Sequence, residues 1–270
     1  MKVFDFNIHL PTQINNNVND TISLDLSMKE PELLNGLNFH RDFIRGLNGI
    51  NILLFNTSLF ESKLHNFNEE VGRSVERASY TALIDFRRLD IDDYIDKLAK
   101  NGVRCVMVNS YLQKILESDF HLVLKACQLA AEKGLIICID GSYGTSKMFT
   151  FDNVKLMCYV SDNIVTSPIV IIHSGGKRIL EVMLLAMEKT NIWLDTSFSL
   201  PFYKDSSIEA DYAFAYKKIG LNRILYGSDL PYLNSENAFE IHKDFFEKHK
   251  FSDNEIEQIF YYNALNLLSY

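Results

Sequence analysis

Eight short apolar, β-branched runs recur along the 270-residue chain, at 3–8, 50–55, 81–85, 103–108, 135–139, 169–172, 192–194 and 223–226. Continuous apolarity, rather than strict alternation, is the pattern of strands covered on both faces, as in a parallel sheet. Helical signals fill the gaps. Asp90 can cap a helix over 91–100 that Gly102 ends, and Ser118 can cap 119–133, ended by Gly134, with Leu122, Ala126 and Leu129 on one face. Ser206-Ser207-Ile208-Glu209 and Ser252-Asp253-Asn254-Glu255 each fit a reciprocal N-terminal cap. The second opens a terminal helix whose apolar face holds Ile256, Ile259, Phe260 and Leu267. Eight strand–helix units of about 30 residues each predict an α/β protein of the (β/α)8 TIM-barrel kind. A doubly wound sheet is the competitor, but it normally shows a Gly-rich phosphate turn after its first strand, and none is present. No linker interrupts the pattern, so residues 1–270 read as a single domain. The polar, Asn-rich stretch 11–31 follows the first strand directly, where it would form either a lid over the C-terminal mouth or a solvated insertion.

Composition narrows the function. With 47% hydrophobic and 23% charged residues the chain is neither disordered nor fibrous. Lys and Arg total 27 against 35 Asp and Glu, a net charge of −8 without a basic stripe, which argues against a nucleic-acid partner. The longest apolar stretches, such as 135–139, are too short to span a bilayer, and the N-terminus lacks a secretory apolar core. None of Cys105, Cys127, Cys138 and Cys158 forms a C-x-x-C pair, and Cys105 and Cys138 sit inside apolar runs. Reduced thiols packed as small hydrophobes, in a cytoplasmic protein, are the expectation.

Barrel enzymes carry their chemistry where strands end. Strand one ends Asp5-Phe6-Asn7-Ile8-His9, and simple alternation turns Asp5, Asn7 and His9 inward. Strand five ends in Asp140, strand six in Ile172-His173-Ser174-Gly175-Gly176, and strand eight in Tyr226-Gly227-Ser228-Asp229-Leu230-Pro231. Imidazole and carboxylate groups at the rim of an apolar core are disfavoured unless paired or bound to a cation. One imidazole with two carboxylates can hold a divalent ion and leave a position for water, whose pKa the ion lowers. A second imidazole can then serve as acid or base. Lys177 and Arg178, at a helix start after Gly176, could bind a substrate carboxylate or form a solvated helix face. Arg87 and Arg88 after strand three carry the same two readings. Asp195, at the end of strand seven, reads as a structural carboxylate. His40, His65, His121, His242 and His249 fall on helices or loops and are expected to be exposed, and Trp193 is expected to pack.

These segments resemble the amidohydrolase superfamily, and within it the small metal-dependent hydrolases and the decarboxylases of the aminocarboxymuconate-semialdehyde type. Asp5-Phe6-Asn7-Ile8-His9 is similar to the opening D-x-H-x-H motif, and Ile172-His173-Ser174-Gly175-Gly176 to the H-x-G-G turn of strand six. Arg223-Ile224-Leu225-Tyr226-Gly227-Ser228-Asp229-Leu230-Pro231 is similar to the strand-eight motif R-I-L-F-G-S-D-x-P. Residues 191–197 resemble strand seven, and Asn263-Ala264 the closing helix. Asn7 stands where the family has its first histidine, and Asp140 stands where it has the strand-five histidine. The resemblance implies one divalent ion (zinc, manganese, magnesium or iron) held by His9, Asp140 and Asp229 with Asn7 assisting. It also implies His173 and Asp229 as catalytic groups, a small carboxylated substrate cleaved at a C–O or C–N bond, and no membrane partner; a homo-oligomer is compatible with it. Two alternatives stay open: a metal-free lactonase or decarboxylase working through His173 and Asp229, and a barrel that has lost catalysis and binds a ligand or acts as a subunit.

Overall fold

Each of the eight apolar runs is a strand in the computed structural model, which describes residues 1–9, 38, 40–42, 44, 46–54, 71, 75–142, 146–230, 232, 233 and 235–269. The strands are β1 (Val3–His9), β2 (Leu47–Leu54), β3 (Arg77–Leu83), β4 (Cys105–Val108), β5 (Ile136–Asp140), β6 (Ile169–Ile172), β7 (Ile192–Asp195) and β8 (Ile224–Leu225). They lie side by side in chain order, every neighbouring pair parallel. The two ends of the sheet then meet. Phe6 N–H donates to Tyr226 O at 2.9 Å, Asp229 N–H donates to Asn7 O at 2.9 Å, and Ile8 bridges Leu230 in parallel register. Closure makes the sheet a (β/α)8 barrel. The stretch 11–31 and His65 lie outside the described residues.

Continuous apolarity follows from two packed layers. Phe4, Phe6, Leu53, Cys105, Met107, Cys138, Val170 and Ile172 fill the inside of the barrel, and Tyr261, Ala264 and Leu267 from the C-terminal helices join the same cluster. Ile50, Ile52, Val106, Val108, Ile137, Ile169 and Ile171 face outward and are covered by helices. A charged residue on either face of β4, β5 or β6 would therefore be buried. The four cysteines are free thiols; Cys105, Cys127 and Cys138 are buried and Cys158 is half-buried.

The described helices are α1 (Ile91–Lys100), α2 (Phe120–Glu132), α3 (Asn153–Asn163), α4 (Ile179–Glu188), α5 (Ser199–Phe202), α6 (Ser207–Ile219), α7 (Ser235–Lys248), α8 (Asp253–Glu257) and α9 (Asn263–Leu268), with a π-turn (Gln258–Tyr262) before α9. Helix α1 has the expected bounds, but Asp90 gives it no side-chain cap. Its carboxylate is taken by the Arg88 guanidinium at 2.8 Å, a charged partner that outcompetes neutral amides. Helix α2 is likewise organised by Asp119 rather than Ser118: its carboxylate accepts the Leu116 N–H at 3.0 Å and pairs with Arg87 at 2.8 Å. The Ser252–Glu255 cap forms, with Ser252 N–H to Glu255 Oε2 at 2.7 Å.

The Ser206–Glu209 cap does not form, because tertiary partners claim the glutamate. Buried Glu209 accepts from Lys248 Nζ at 2.7 Å, His249 Nε2 at 3.1 Å and the Asp205 N–H at 2.6 Å. Two histidines expected at the surface are fully buried for similar reasons. His40 Nε2 is 2.9 Å from Asp5 Oδ2, and His242 lies between the carbonyls of Ala238 (2.6 Å) and Thr196 (3.1 Å). Helical pattern cannot reveal such partners, which come from distant parts of the chain.

Strand ends β5 and β6 meet without room for a side chain. Gly141 N–H donates to Ile172 O at 2.9 Å, and a Cβ at Gly141 would lie 2.6 Å from Ile172 O and 2.7 Å from Gly175 N. Both contacts are backbone, so Gly141→Ala must displace the turn that carries His173. A loss of about 1–3 kcal/mol is expected in urea melts. Glu209 gives a second test. Burial would raise its pKa, but the Lys248 ammonium, the Asp205 amide and His249 bring it down to about 2 from the ordinary 4.5. A depressed acid stabilises the fold above its unfolded pKa and loses that contribution as pH falls through the folded value. Glu209→Gln should therefore cost about 1–3 kcal/mol at neutral pH, and the gap from wild type should shrink as the melts are taken from pH 4.5 toward pH 2.

Candidate active site at the barrel mouth

Strand β1 does not alternate simply. Phe4 and Phe6 belong to the inner cluster, so Asp5 between them faces His40 instead of the interior, correcting the expectation that Asp5 points inward on the same face as Asn7 and His9. Asp5 Oδ1 accepts the Asn7 N–H at 3.2 Å and the Ser228 N–H at 2.9 Å, tying β1 to the loop after β8. Between Asp5 and Ile8 the register against β2 shifts: three steps on β1 match two on β2. Such a bulge re-aims the side chains beyond it. Ile8 joins the outer layer, and Asn7 and His9 reach the mouth.

After β6 the chain turns back on itself through residues in the left-handed region: His173 (φ 62°), Ser174 (52°), Gly175 (82°) and Gly176 (56°). Glycine is required at 175, where a Cβ would also stand 2.4 Å from Val182. The turn is pinned from β7. Asp195 Oδ1 accepts the His173 N–H at 2.9 Å, and Asp195 O accepts the Ser174 hydroxyl at 2.6 Å. Asp195 is therefore a structural carboxylate, as expected, and burial raises its pKa to about 6.

Four side chains from four strand ends come together. His9 Nε2 is 3.2 Å from Asp229 Oδ1, and His173 Nε2 is 3.9 Å from the same oxygen and 3.7 Å from Asp140 Oδ2. His9, His173, Asp140 and Asp229 are all buried. The two readings of Asp140 divide between its oxygens. Oδ1 accepts the Ser142 N–H (2.9 Å) and hydroxyl (2.5 Å), as in an Asx turn, while Oδ2 faces His173. Burial opposes the charge on His173, but Asp229, Asp140 and Asp195 around it outweigh burial and raise its pKa above 6.5.

Several neighbours were not visible as site residues in the sequence. Tyr232 stands edge-on to His9 at 5.1 Å, and Phe198 edge-on to His173 at 5.9 Å with Phe202 stacked behind it. Burial and then Asp229 push the Tyr232 phenol up to about 12; burial, followed by Asp140, Tyr232 and Asp229, also raises that of Tyr111. Both phenols thus stay protonated donors beside the acids. Their one sequence signal is position, shortly after the ends of β4 and β8. Lys177 Nζ lies over the Phe149 ring at 4.6 Å. Arg178 is engaged by Asp152 at 2.6 Å and by Glu181 at 2.6 and 2.9 Å. Arg87 and Arg88 serve loop and helix ends, as above.

The donor set can be tested against a divalent ion. Two ligands each about 2.0–2.2 Å from one ion lie about 3–4 Å apart, which within the expected set is the spacing of His9 with Asp229. Asn7 Oδ1 is buried and accepts no hydrogen bond among the described residues, an acceptor that suits a cation or a water. Among the described residues no three His, Cys, Asp or Glu side chains close into a complete ligand group. The fit therefore lies in donor chemistry: mixed imidazole nitrogen and carboxylate oxygen, as zinc, manganese or iron accept.

Solved structures share the fold. A probable 2-pyrone-4,6-dicarboxylic acid hydrolase from Acinetobacter baumannii with citric acid bound superposes with a TM-score of 0.68 at 15% identity, over 100% of both chains. An amidohydrolase from Burkholderia multivorans with bound HEPES gives 0.69 at 12%, over 100% of this chain and 99% of the other. A dihydroxybenzoic acid decarboxylase from Polaromonas sp. JS666, with manganese and the inhibitor 2-nitroresorcinol, gives 0.65 at 14%, over 99% and 97%. No curated protein matches the chain. No described helix is long and apolar enough to cross a membrane. The amidohydrolase family model matches residues 79–269, spanning β3 to the closing helix and the strand-six and strand-eight turns, and the chain belongs to that family of enzymes.

Proposed function

We propose that this amidohydrolase hydrolyses a C–O or C–N bond of a small carboxylated molecule, with His173 and Asp229 as its catalytic groups. The observation that carries the reading is the meeting of two imidazole Nε2 atoms and two carboxylates in one buried mouth. The fold-sharing Acinetobacter protein is named as a hydrolase of a dicarboxylic acid, which fits the same substrate class. A divalent ion held by His9, Asp140 and Asp229, with Asn7 Oδ1 beside them, would supply Lewis acidity and a more acidic water.

The chain's own groups account for the protons. Asp229 accepts one proton as water oxygen bonds to the substrate carbonyl carbon. His173, whose raised pKa keeps a proton available near neutrality, donates from Nε2 to the departing oxygen or nitrogen as its bond to that carbon breaks. Transfer of the proton from Asp229 back to His173 restores both groups. Tyr111 and Tyr232, held as neutral phenols, donate hydrogen bonds to substrate oxygens. Phe198 packs its ring against His173, and Lys177 offers an ammonium to the substrate carboxylate, whereas Arg178 is occupied in holding the start of α4.

Protein purified without chelator should carry close to one divalent ion per chain. His9→Ala and Asp229→Ala should each bring that below about 0.1. Against a panel of lactones and N-acyl amino acids, Asp229→Asn and His173→Asn should each lower kcat/KM by about 10²–10⁴. Hydrolysis that survives exhaustive chelation and an ion content near zero would instead assign the chemistry to His173 and Asp229 without a metal.

A further inference from the structure

We infer that Ser197-Phe198-Ser199 is a strained turn that fixes His173 with a proton on Nδ1 and with Nε2 turned to the carboxylates, making Ser197 and Phe198 positioning residues. Their catalytic purpose rests on the reaction proposed above; the position of the proton does not.

Phe198 has φ 52° and ψ −60°, and the Ser199 N–H reaches back to Ser197 O at 2.5 Å. This is a three-residue γ-turn of the positive-φ kind, which is rare and strained, and a bulky residue at its centre is an outlier. The strained residue touches the site directly. The Phe198 ring stands against the His173 ring at 5.9 Å and 66°, with Phe202 stacked on its other side at 5.4 Å. The carbonyl that closes the turn, Ser197 O, lies 3.1 Å from His173 Nδ1.

Counting protons at Ser197 settles what Nδ1 must be. The single hydrogen of Ser197 Oγ goes to Asp195 Oδ1, which also accepts the N–H of His173 at 2.9 Å and of Ser197 at 3.3 Å. Oγ is left with lone pairs, one facing Asn7 Nδ2 at 2.8 Å and one facing His173 Nδ1 at 3.0 Å. Both groups that face Nδ1 are thus acceptors. Two acceptors around an unprotonated nitrogen would repel it, so Nδ1 carries the hydrogen, and in the neutral ring Nε2 is bare. The turn therefore decides which nitrogen is offered to the mouth, and the ring of Phe198 limits how His173 can rotate.

The test is the imidazole signature of His173 in ¹⁵N-labelled full-length protein at alkaline pH, assigned by its loss in His173→Asn. Wild type and Ser197→Thr should show the Nδ1–H tautomer, and Ser197→Ala a pattern shifted toward Nε2–H. Phe198→Gly should melt above Phe198→Ala, since glycine accepts the turn's φ and alanine does not. An Nε2–H wild type, an unchanged pattern in Ser197→Ala, or an alanine variant as stable as the glycine one would each overturn the inference. The wild-type spectrum decides the proton position even if a variant fails to fold. An Nδ1–H signal in a chain that binds no ion and hydrolyses nothing in the panel would sink the proposed function and leave this inference standing. An Nε2–H signal in an active, metal-loaded chain would do the reverse.

Discussion

Asp5, Asp140, Asp195 and Asp229 are buried around one apolar barrel, where an uncompensated carboxylate costs several kcal/mol. Each must meet donors, and the way each does so arranges the mouth. Asp5 takes His40 and the Ser228 amide, which joins β1 to the β8 loop and helps close the barrel. Asp195 takes the His173 and Ser197 amides, which sets the turn after β6. Asp140 satisfies one oxygen with Ser142 and turns the other inward. Asp229 meets the two imidazoles. Structural and chemical carboxylates thus differ in their partners. Backbone amides hold Asp5 and Asp195, with the buried His40 also on Asp5, whereas the two imidazoles of the mouth, His9 and His173, face Asp140 and Asp229.

Backbone strain gathers in the same place. Among the described residues seven non-glycine residues have φ in the left-handed region, and His173, Ser174, Phe198 and Asp229 are four of them. Such conformations cost about 1–3 kcal/mol each and persist when the surroundings over-determine them. Here those surroundings are identifiable. They are the Asp195 hydrogen bonds, the close approach of Gly141 to Gly175, and the Asn7–Asp229 backbone bond that draws the β8 loop across β1. Strain at the rim is thus carried by a rigid barrel below it, the division of labour that lets loops hold chemistry while strands hold the fold.

What the sequence revealed follows the range of the forces involved. The eight strands were legible because burial on both faces needs an unbroken apolar run, a local signature. The rim groups His9, His173, Asp140 and Asp229 were legible because an ionisable residue ending such a run has nowhere else to go. Asp5 was misread because a bulge interrupts period-two alternation, and nothing local marks that bulge. The caps at Asp90 and Ser206 failed because Arg88 and the Lys248–His249 pair are stronger partners than helix amides. Tyr111, Phe198 and Tyr232 were missed because an aromatic residue in a loop has the same sequence appearance whether it packs or faces a site.

Asn7 shows how a changed residue can keep a position useful while changing its task. By resemblance the place belongs to an imidazole, a nitrogen donor to a cation. An amide offers a weaker oxygen and, on the same carbon, a donating nitrogen. That nitrogen is occupied: it reaches Ser197 Oγ at 2.8 Å, linking β1 to the turn that sets His173. An imidazole whose one nitrogen bound an ion could supply the other as a single donor, but from a ring of different reach. With Ser197 Oγ–H committed to Asp195, the hydroxyl needs donors from outside, and the Asn7 amide is one of them. The residue standing where the resemblance places an imidazole and the orientation of His173 are therefore joined at a single hydroxyl. By that resemblance the site gives up one of two nitrogen ligands on β1 while keeping His9, and through the same residue it gains a second constraint on which nitrogen of His173 faces the substrate.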